Sequence, residues 1–522
     1  MRISRSLALG TIASFLLPPV LLCAQNERPH QSGPSNPAPQ TITSPVYLDV
    51  TVLNRQGQLV DSGLNRKDFH LTEDGRPQQI LSFEAPPSPA AGASAGNRAV
   101  NGRAPSTIIV LDLLNSGFAD FSYMRTATRK FLMSQPALLP APAELLVLGN
   151  NLLELRQGYT RDRNKLLQAL ARTPSAIPYQ KMSSRFDWRR FYESMDALEQ
   201  IGLQNQGVPG HKILIWIGLG APGMRLDVPQ LSVPARNLLR GYARETINMM
   251  VNSRITLYVI YPDIDLVGRN MTLSAQEASI NLNAMDPFQD NINFGLFVDA
   301  TGGRLFYNRN DIARLMRHIT EMSSKYYTLA YQPAGNFDKG GFQHIHVTLD
   351  DHYERAMTKA GYYAPSSKTR VNPQASMIND VNQAATATIP FTAFRTSIKS
   401  LVRHPASSTL DMVVQLRDRD MSWQAGPNGK SQARIILGAF SLDGRNNILA
   451  SHLIASTLTT TFPSAAVRDA AFASMPISIR FPRDAQRVQI VAEDENGGRL
   501  GTASLSRKAV EAAPTGPAPV AH

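Results

Sequence analysis

The segment TIIVLDLLNS, residues 107–116, is an apolar and β-branched run that ends in polar side chains. Its first part, Thr107 to Leu111, is typical of a strand that is buried on both faces. Strands of this kind form parallel sheets that are covered by helices on both sides. The polar end, Asp112 to Ser116, is therefore expected at the carboxyl edge of a parallel sheet, where α/β proteins bind their ligands.

Strand and helix patterns alternate on the carboxyl side of this run. Apolar strand patterns recur at residues 144–148, 212–217, 255–260 and 303–307. Helix patterns separate these strands, and one of them places on a single apolar face Trp188, Phe191, Met195 and Leu198. This alternation predicts an α/β fold over residues 107–322, with a doubly wound, mostly parallel sheet of the Rossmann-like type.

Strand patterns without intervening helices flank this domain on both sides. Residues 46–84 alternate with period 2 and predict a small β module. Residues 323–365 return to strand patterns, and they either pair with that module as one β-sandwich or form a separate unit. Residues 393–508 show short strands separated by turns such as Asp443-Gly444, which predicts a C-terminal all-β domain, a β-sandwich.

Composition predicts the connections between these units. Residues 25–45, 85–106 and 366–392 are rich in small and polar residues or in proline, and we interpret them as linkers. The tail after the C-terminal domain, residues 509–522, is rich in Ala and Pro, and it is predicted to be disordered.

The first 24 residues have the pattern of a secretory signal peptide. Two arginines precede an apolar run, Leu7 to Leu22, and Ala24 suits the position before a cleavage site. Two prolines interrupt the run, and a membrane span takes about 20 apolar residues, so no transmembrane anchor is predicted. The protein is expected to be exported, either to the periplasm or out of the cell.

The single cysteine, Cys23, lies inside this leader. Leu22 precedes it, whereas the lipidated cysteine of a lipoprotein usually follows Gly, Ala or Ser. This difference argues against a lipid anchor. Cleavage after Ala24 would leave a chain without disulfides and without thiolate metal sites. The formal net charge of +12 comes from scattered arginines and lysines rather than from a basic run, so nucleic acid is not an expected partner.

Several segments together resemble one family. They are VYLDVTVLNRQGQLV at 46–60, ATGGRLFYNRNDIARLM at 300–316 and KYYTLAYQP at 325–333. In this order they resemble the VWA-related proteins of the acidobacterial type, which contain a von Willebrand factor A-like domain. The resemblance covers roughly residues 46–365. It implies a VWA-like fold for the α/β domain and a role in binding protein partners, in adhesion or assembly.

The resemblance also implies where a divalent cation such as Mg²⁺ would be held. In the family that this chain resembles, the first loop usually has the pattern Asp-x-Ser-x-Ser. Asp112 and Ser116 match this pattern, while Leu114 stands where the family has a serine hydroxyl. The second loop usually supplies a Thr, and here it offers only Ser183 and the adjacent serine. The third loop usually supplies an Asp, where this chain has Gly218-Leu219-Gly220.

This donor set is poor for Mg²⁺, which takes about six oxygen ligands in near-octahedral geometry. We therefore predict that the metal site of Asp112, Ser116 and Ser183 is degenerate and that the chain has no cofactor. The predicted contact face for a protein partner is formed by Asp112, Asn115, Ser116, Gly218 and Gly220.

Three functional hypotheses follow. The first is a non-enzymatic protein-binding module, because no Gly-x-Ser-x-Gly elbow and no His-Glu-x-x-His motif occurs. The second is a hydrolase that uses a carboxylate pair such as Asp263 and Asp265. The third is a structural component of the envelope that docks through its C-terminal domain. His344 and His346 could bind zinc with His352, although the alternation of a half-buried strand also explains them.

Overall fold

The computed structural model describes residues 45–86, 105–116, 118–149, 152–173, 187–229, 231–262, 286–288, 291–333, 341–350, 355–364, 373–426, 430–461 and 469–516. The predicted leader lies outside these residues, as do most of the linkers predicted at 25–45 and 85–106. Four strands precede the α/β domain: β1 (Val46–Leu53), β2 (Phe69–Glu73), β3 (Arg76–Pro77) and β4 (Ile80–Glu84).

The α/β domain begins with the strand that contains the apolar run of residues 107–111. Its strands are β5 (Ser106–Asp112), β6 (Leu138–Leu148), β7 (Leu153–Asp162), β8 (Lys212–Ile217), β9 (Met224–Arg225), β10 (Ile255–Pro262), β11 (Asn291–Ile292) and β12 (Arg304–Arg309). Its helices are α1 (Phe118–Met133), α2 (Arg163–Ala171), α3 (Asp187–Gln204), α4 (Val233–Asn252), α5 (Phe294–Ala300) and α6 (Ile312–Met322).

Six of these strands form one sheet in the order β7-β6-β5-β8-β10-β12. All neighbours are parallel except β7, which runs antiparallel to β6 at one edge. The strand order reverses between β5 and β8, and this is the position at which α/β sheets open a crevice for ligands. The predicted mixed α/β class is confirmed, and Asp112 ends the central strand at that position.

Helices cover both faces of this sheet because alternate strand residues point to opposite sides. Ile109 and Leu111 pack on the side of α1, α2 and α6. Ile108 and Val110 pack on the side of α3, α4 and α5. The strand is therefore apolar from Ile108 to Leu111, and its fully buried polar side chain is Asp112 at the carboxyl end.

The segments on either side of the α/β domain pair with each other. The later strands are β13 (Tyr327–Tyr331), β14 (Gly341–Leu349), β15 (Arg355–Met357) and β16 (Gly361–Ala364). β1 lies antiparallel between β13 and β15, and β2 lies antiparallel to β14. The two resulting four-stranded sheets share one apolar core, so the α/β domain is inserted into a β unit that both segments build.

The described part of the C-terminal region consists mainly of strands, with an α-helix near each end. These are α7 (Pro373–Thr386), β17 (Thr396–His404), β18 (Thr409–Arg417), β19 (Gln424–Ala425), β20 (Ser431–Leu442), β21 (Ile448–Thr460), β22 (Phe472–Arg480), β23 (Arg487–Asp494), β24 (Arg499–Ser506) and α8 (Arg507–Glu511). One sheet has the order β17-β18-β22. In the other, β20 lies between β21 and β23, and the two sheets enclose a common core.

Two of the predicted connections are wrong within the described residues. The linker predicted at 366–392 contains α7, whose Met377, Val381 and Ala384 form a buried stripe against the C-terminal sheet and the α/β domain. These residues lie four and three apart, a helical spacing that the polar composition obscured. The tail predicted to be disordered from 509 is ordered to 516, because Ser506 caps α8 and Val510 is fully buried.

Candidate functional site

The carboxylate of Asp112 is the centre of the candidate site. Strand β5 carries it to the carboxyl edge of the sheet, between β6 and β8, and the residue is fully buried there. Burial of an ionised carboxylate is costly unless hydrogen bonds replace its hydration. The groups that surround these two oxygens therefore determine what the site can do.

Four N–H groups donate to this carboxylate. Oδ1 accepts from the backbone N–H of Asn115 at 3.0 Å and from its Nδ2 at 3.1 Å. Oδ2 accepts from Trp216 Nε1 at 2.9 Å, from the backbone N–H of Gly220 at 3.0 Å and from Asn115 Nδ2 at 3.1 Å. Both carboxylate oxygens are thus engaged by donors from the β5 and β8 loops and from the buried indole of β8.

Burial and hydrogen bonding act on this acid in opposite directions. The pKa of the Asp112 carboxyl is raised, because burial outweighs the hydrogen bonds from Trp216, Asn115 and Gly220, which lower it. Donors without acceptor capacity, such as the indole and backbone N–H groups, suit an ionised carboxylate. The acid holds two loops and the central strand together, as a buried acceptor.

Gly218 is required by the close packing of this site. Its φ is +142°, and a Cβ at this position would lie 2.5 Å from Asp112 Cβ and 3.0 Å from Ser116 Oγ. The aspartate that the family resemblance implies in this loop therefore has no room at position 218. Gly220 is similarly constrained, with a φ of +72° and a Cβ position only 2.3 Å from the ring of Phe294.

The structure brings five of the predicted site residues together and buries most of them. Asp112, Asn115 and Gly218 are buried, and Ser116 is partly buried. Asn115 Nδ2 also donates to Ser194 Oγ on α3 at 3.0 Å. These residues therefore join strand, loop and helix. Asp112 and Asn115 are buried inside the domain, and the predicted contact face of these five residues stays a prediction.

Other carboxylates do not complete a metal shell around Asp112. Asp162 pairs with Leu138 at the amino end of β6, the opposite edge of the sheet, where its side chain caps α2. Asp299 lies beside Tyr307 on β12, three strands away from β5. Ser183 lies outside the described residues, as do Asp263 and Asp265.

The described residues around Asp112 fit a divalent cation poorly. Two buried neutral oxygens, Ser116 Oγ and Asn115 Oδ1, have no protein hydrogen-bond partner. The charged ligand that a cation would need is Asp112, whose oxygens already accept from N–H groups with which a cation would compete. Among the described residues, no group of three or more His, Cys, Asp or Glu side chains could hold a metal ion.

Millimolar Mg²⁺ or Mn²⁺ is expected to leave the melting temperature of the protein unchanged. A cation present at 100-fold above its Kd would stabilise the folded state by roughly 2.7 kcal/mol, which raises Tm by several degrees. Thermal unfolding followed by circular dichroism, with metal and with EDTA, measures this. A rise with metal that disappears in Asp112→Ala would show that these loops do bind a cation.

Large apolar side chains are exposed beside this site. Trp188 and Tyr192 on α3 are 42% and 43% exposed, and Leu238 on α4 is 71% exposed. The rings of Trp188 and Tyr192 stack with centroids 6.3 Å apart, and Tyr192 lies 6.3 Å from Tyr242 on α4. We call Trp188, Tyr192, Leu238 and Tyr242 the α3–α4 patch.

The α3–α4 patch lies at the carboxyl edge of the sheet. Both helices begin at that edge, since α3 leads into β8 and α4 leads into β10 at their amino ends. Ser194, which binds Asn115, follows the patch on α3. The sequence pattern placed Trp188 on the buried face with Phe191 and Met195, and this was wrong. Phe191 and Met195 are buried, but Trp188 lies in the first turn, where the helix extends beyond the core.

The two described histidines that were considered for zinc lie on the solvent-facing side of a half-buried strand. His344 lies on β14 with its Nδ1 3.1 Å from Asp74 Oδ1, and His346 is exposed. His352 lies outside the described residues. No described helix is long and apolar enough to cross a membrane.

The fold and the site together define an α/β domain with a mostly parallel sheet, whose acid at the carboxyl edge is bound by internal N–H donors. Neither protein-family models nor characterised proteins give a match for this chain. The chain is similar to a crystal structure of the SpRpn10 VWA domain, with 15% sequence identity and a TM-score of 0.18. The similarity covers 31% of this chain and 77% of that chain. These comparisons give no support for the narrower acidobacterial type.

Proposed function

We propose that this chain is an exported, non-enzymatic protein-binding protein, which takes its partner on the α3–α4 patch. The observation that supports this most strongly is the exposure of Trp188 and Tyr192 on α3 and of Leu238 on the adjacent helix α4, at the carboxyl edge of the sheet. Aromatic side chains are enriched at protein interfaces and dominate their energetics. The signal-peptide pattern of residues 1–24 supports export.

Charge indicates the chemistry of the partner. From residue 233 to residue 244, α4 carries three arginines and no acidic residue, while Asp196 and Glu199 of α3 lie against Tyr242 and Glu245 follows on α4. Arg244 is paired with Asp286, and Arg236 and Arg240 add positive charge nearer to Leu238. The partner that fits this surface is a protein segment with apolar side chains flanked by carboxylates.

Binding in this proposal does not depend on a metal ion. In VWA-like adhesion, as the resemblance implies, an acidic side chain of the partner completes the coordination of a cation. Here Asp112 is already satisfied by Trp216, Asn115 and Gly220, so the acidic groups of the partner would meet arginines instead. We therefore expect the chain to capture its partner equally well in EDTA, and the binding test includes this condition.

Leu238→Asp is expected to weaken partner binding by about tenfold or more, because it places a charge in the centre of an apolar contact. A photo-crosslinking residue at Tyr192 in the native host would identify the partner, and titration of the purified pair would give the Kd. The control is Leu138→Asp, since Leu138 is 63% exposed at the opposite edge of the sheet. Equal affinity of the two variants would contradict the assignment of the patch.

The alternative of a hydrolase has a direct test. Its candidate acids, Asp263 and Asp265, lie outside the described residues. A broad hydrolase screen of the purified chain should give no turnover under the binding proposal. Activity that Asp263→Asn abolishes would favour the enzyme. In the structural alternative, the chain would dock to the envelope through the edge strands of its C-terminal domain.

A further inference from the structure

We propose that strand β21 is the contact through which two copies of this chain pair, in antiparallel fashion, into one continuous sheet. β21 runs from Ile448 to Thr460 and pairs with β20 along its whole length. Within the part of the chain that the structure describes, no second strand pairs with its other side. An edge of 13 residues presents unpaired N–H and C=O groups over roughly 40 Å.

β21 lacks the features that usually prevent edge-to-edge pairing. Its sequence, ILASHLIASTLTT, contains no Lys, Arg, Asp, Glu or Pro. Natural edge strands are commonly blocked by lysines, prolines or bulges. The neighbouring edge strand β22 follows this rule with Pro476 in its centre, and the edge strand β17 carries Lys399 and Arg403.

The β21 edge is also held in place. His452 Nδ1 lies 2.6 Å from the carbonyl oxygen of Ser478, which fixes β21 to the adjacent edge of the other sheet. Ala450, Ile454 and Leu458 on one face of β21 pack partly into the core between the sheets. The strand is therefore ordered before any partner arrives, and this lowers the entropic cost of pairing.

A second copy is the occupant that the sequence of β21 fits. The net charge of +12 opposes the approach of two copies, and a neutral contact strand adds no local repulsion to it. β21 supplies a neutral edge. If Ile454 faces its counterpart across a two-fold axis, Ala450 faces Leu458 and Leu453 faces Ala455 of the second copy. These three pairs are apolar on both sides and lie on both faces of the joined sheet. The remaining pairs include Ser, Thr or His, and no Lys, Arg, Asp or Glu side chains oppose each other.

Sedimentation of the purified full chain over a range of concentrations tests this pairing. The wild-type chain is expected to show a reversible monomer–dimer equilibrium. Ser451→Lys/Thr457→Lys is expected to weaken the dimer by about tenfold, because it places a lysine opposite a lysine twice across the two-fold axis. Both side chains are exposed, so the monomer should keep its fold and its Tm.

The control Phe472→Lys/Ser474→Lys adds the same charge to exposed positions on β22 and should leave the dimer unchanged. Amide hydrogen exchange of residues 448–460 should slow as the concentration of the wild-type chain rises. A wild-type chain that stays monomeric overturns the proposal, as does an equal loss of dimer in the β22 control. A monomer whose β21 is protected only by an added extended peptide would assign this edge to a different protein and would also overturn it. The variants of the α3–α4 patch do not affect these outcomes.

Discussion

Replacing Asp112 with asparagine is expected to destabilise the α/β domain by about 3 kcal/mol, because it leaves buried donors without an acceptor. The amide oxygen of asparagine can replace only one of the two carboxylate oxygens. In one orientation the amide NH₂ faces Trp216 Nε1 and the N–H of Gly220, and in the other it faces the N–H of Asn115. For a domain of this size, the loss corresponds to a fall in Tm of roughly 6–12 °C. Chemical and thermal unfolding of the purified variant would measure it.

The destabilisation by Asp112→Asn should be the same in EDTA and in Mg²⁺, since the lost contacts are hydrogen bonds within the protein. Asp227→Asn is the matched control, because the Asp227 carboxylate pairs with Arg225 at the surface. That control should leave the free energy of unfolding nearly unchanged, because exposed ion pairs contribute little to stability. If Asp112→Asn were harmful only in Mg²⁺, the carboxylate would be a metal ligand, and our description of its role would be wrong.

Raising the pH from 5 to 7 is expected to lower stability, through carboxyl groups buried between the α/β domain and the C-terminal domain. Burial raises the pKa of Glu199 on α3 to about 8, of Asp380 on α7 to about 6 and of Glu493 on β23 to about 9. The charge of Asp380 also raises the pKa of both glutamates, so the three acids share one environment. Other acids there are Asp196, Glu245, Asp494 and Glu495.

The sign follows from proton binding in the two states. The unfolded chain releases these protons near the ordinary carboxyl pKa of about 4, whereas the folded chain keeps them until pH 6 to 9. The folded state therefore binds more protons in this interval, and stability falls as pH rises. Each pH unit costs roughly 1.4 kcal/mol per group, so the loss between pH 5 and pH 7 is on the order of several kcal/mol.

Buried cations act in the opposite sense, mostly above this interval. Burial lowers the pKa of Lys212 to about 7 and of Lys359 to about 8, so their effect on stability begins near neutral pH. Burial lowers the pKa of His211 to about 4, and this group offsets part of the loss below pH 6.5. The acids outnumber it, which is why the net change from pH 5 to pH 7 is a loss.

Urea unfolding at pH 5, 6 and 7 would measure this slope. Glu493→Gln should flatten it, because a neutral amide replaces a side chain that is 1% exposed. Glu321→Gln, at an exposed position on α6, should leave it unchanged. Stability that is constant or rises between pH 5 and pH 7 would show that these acids do not hold their protons in the folded chain.

The sequence predicted the elements better than their contacts. Thr107 to Leu111 lie in the central strand β5, as predicted. An uninterrupted apolar, mostly β-branched run is typical of a strand that is covered on both faces. The prediction of a polar linker at 366–392 was wrong, because it relied on the polar composition of the segment and not on the helical spacing of Met377, Val381 and Ala384. A short apolar stripe gains its stability from the surfaces on which it packs, and these surfaces come from distant parts of the chain.

The sequence by itself determined that Asp112 ends a buried parallel strand and that no acid follows at Gly218, because both are properties of neighbouring residues. Only the tertiary structure decided what holds that carboxylate. Trp216 and Gly220 are 104 and 108 residues away along the chain, and they reach Asp112 because β8 lies beside β5 in the sheet. It also decided that Trp188 is exposed, since the burial of a helix residue depends on where the neighbouring helix and the sheet end. Hydrogen bonds and burial between distant residues are set by the packing of the whole domain, and local sequence patterns carry little information about them.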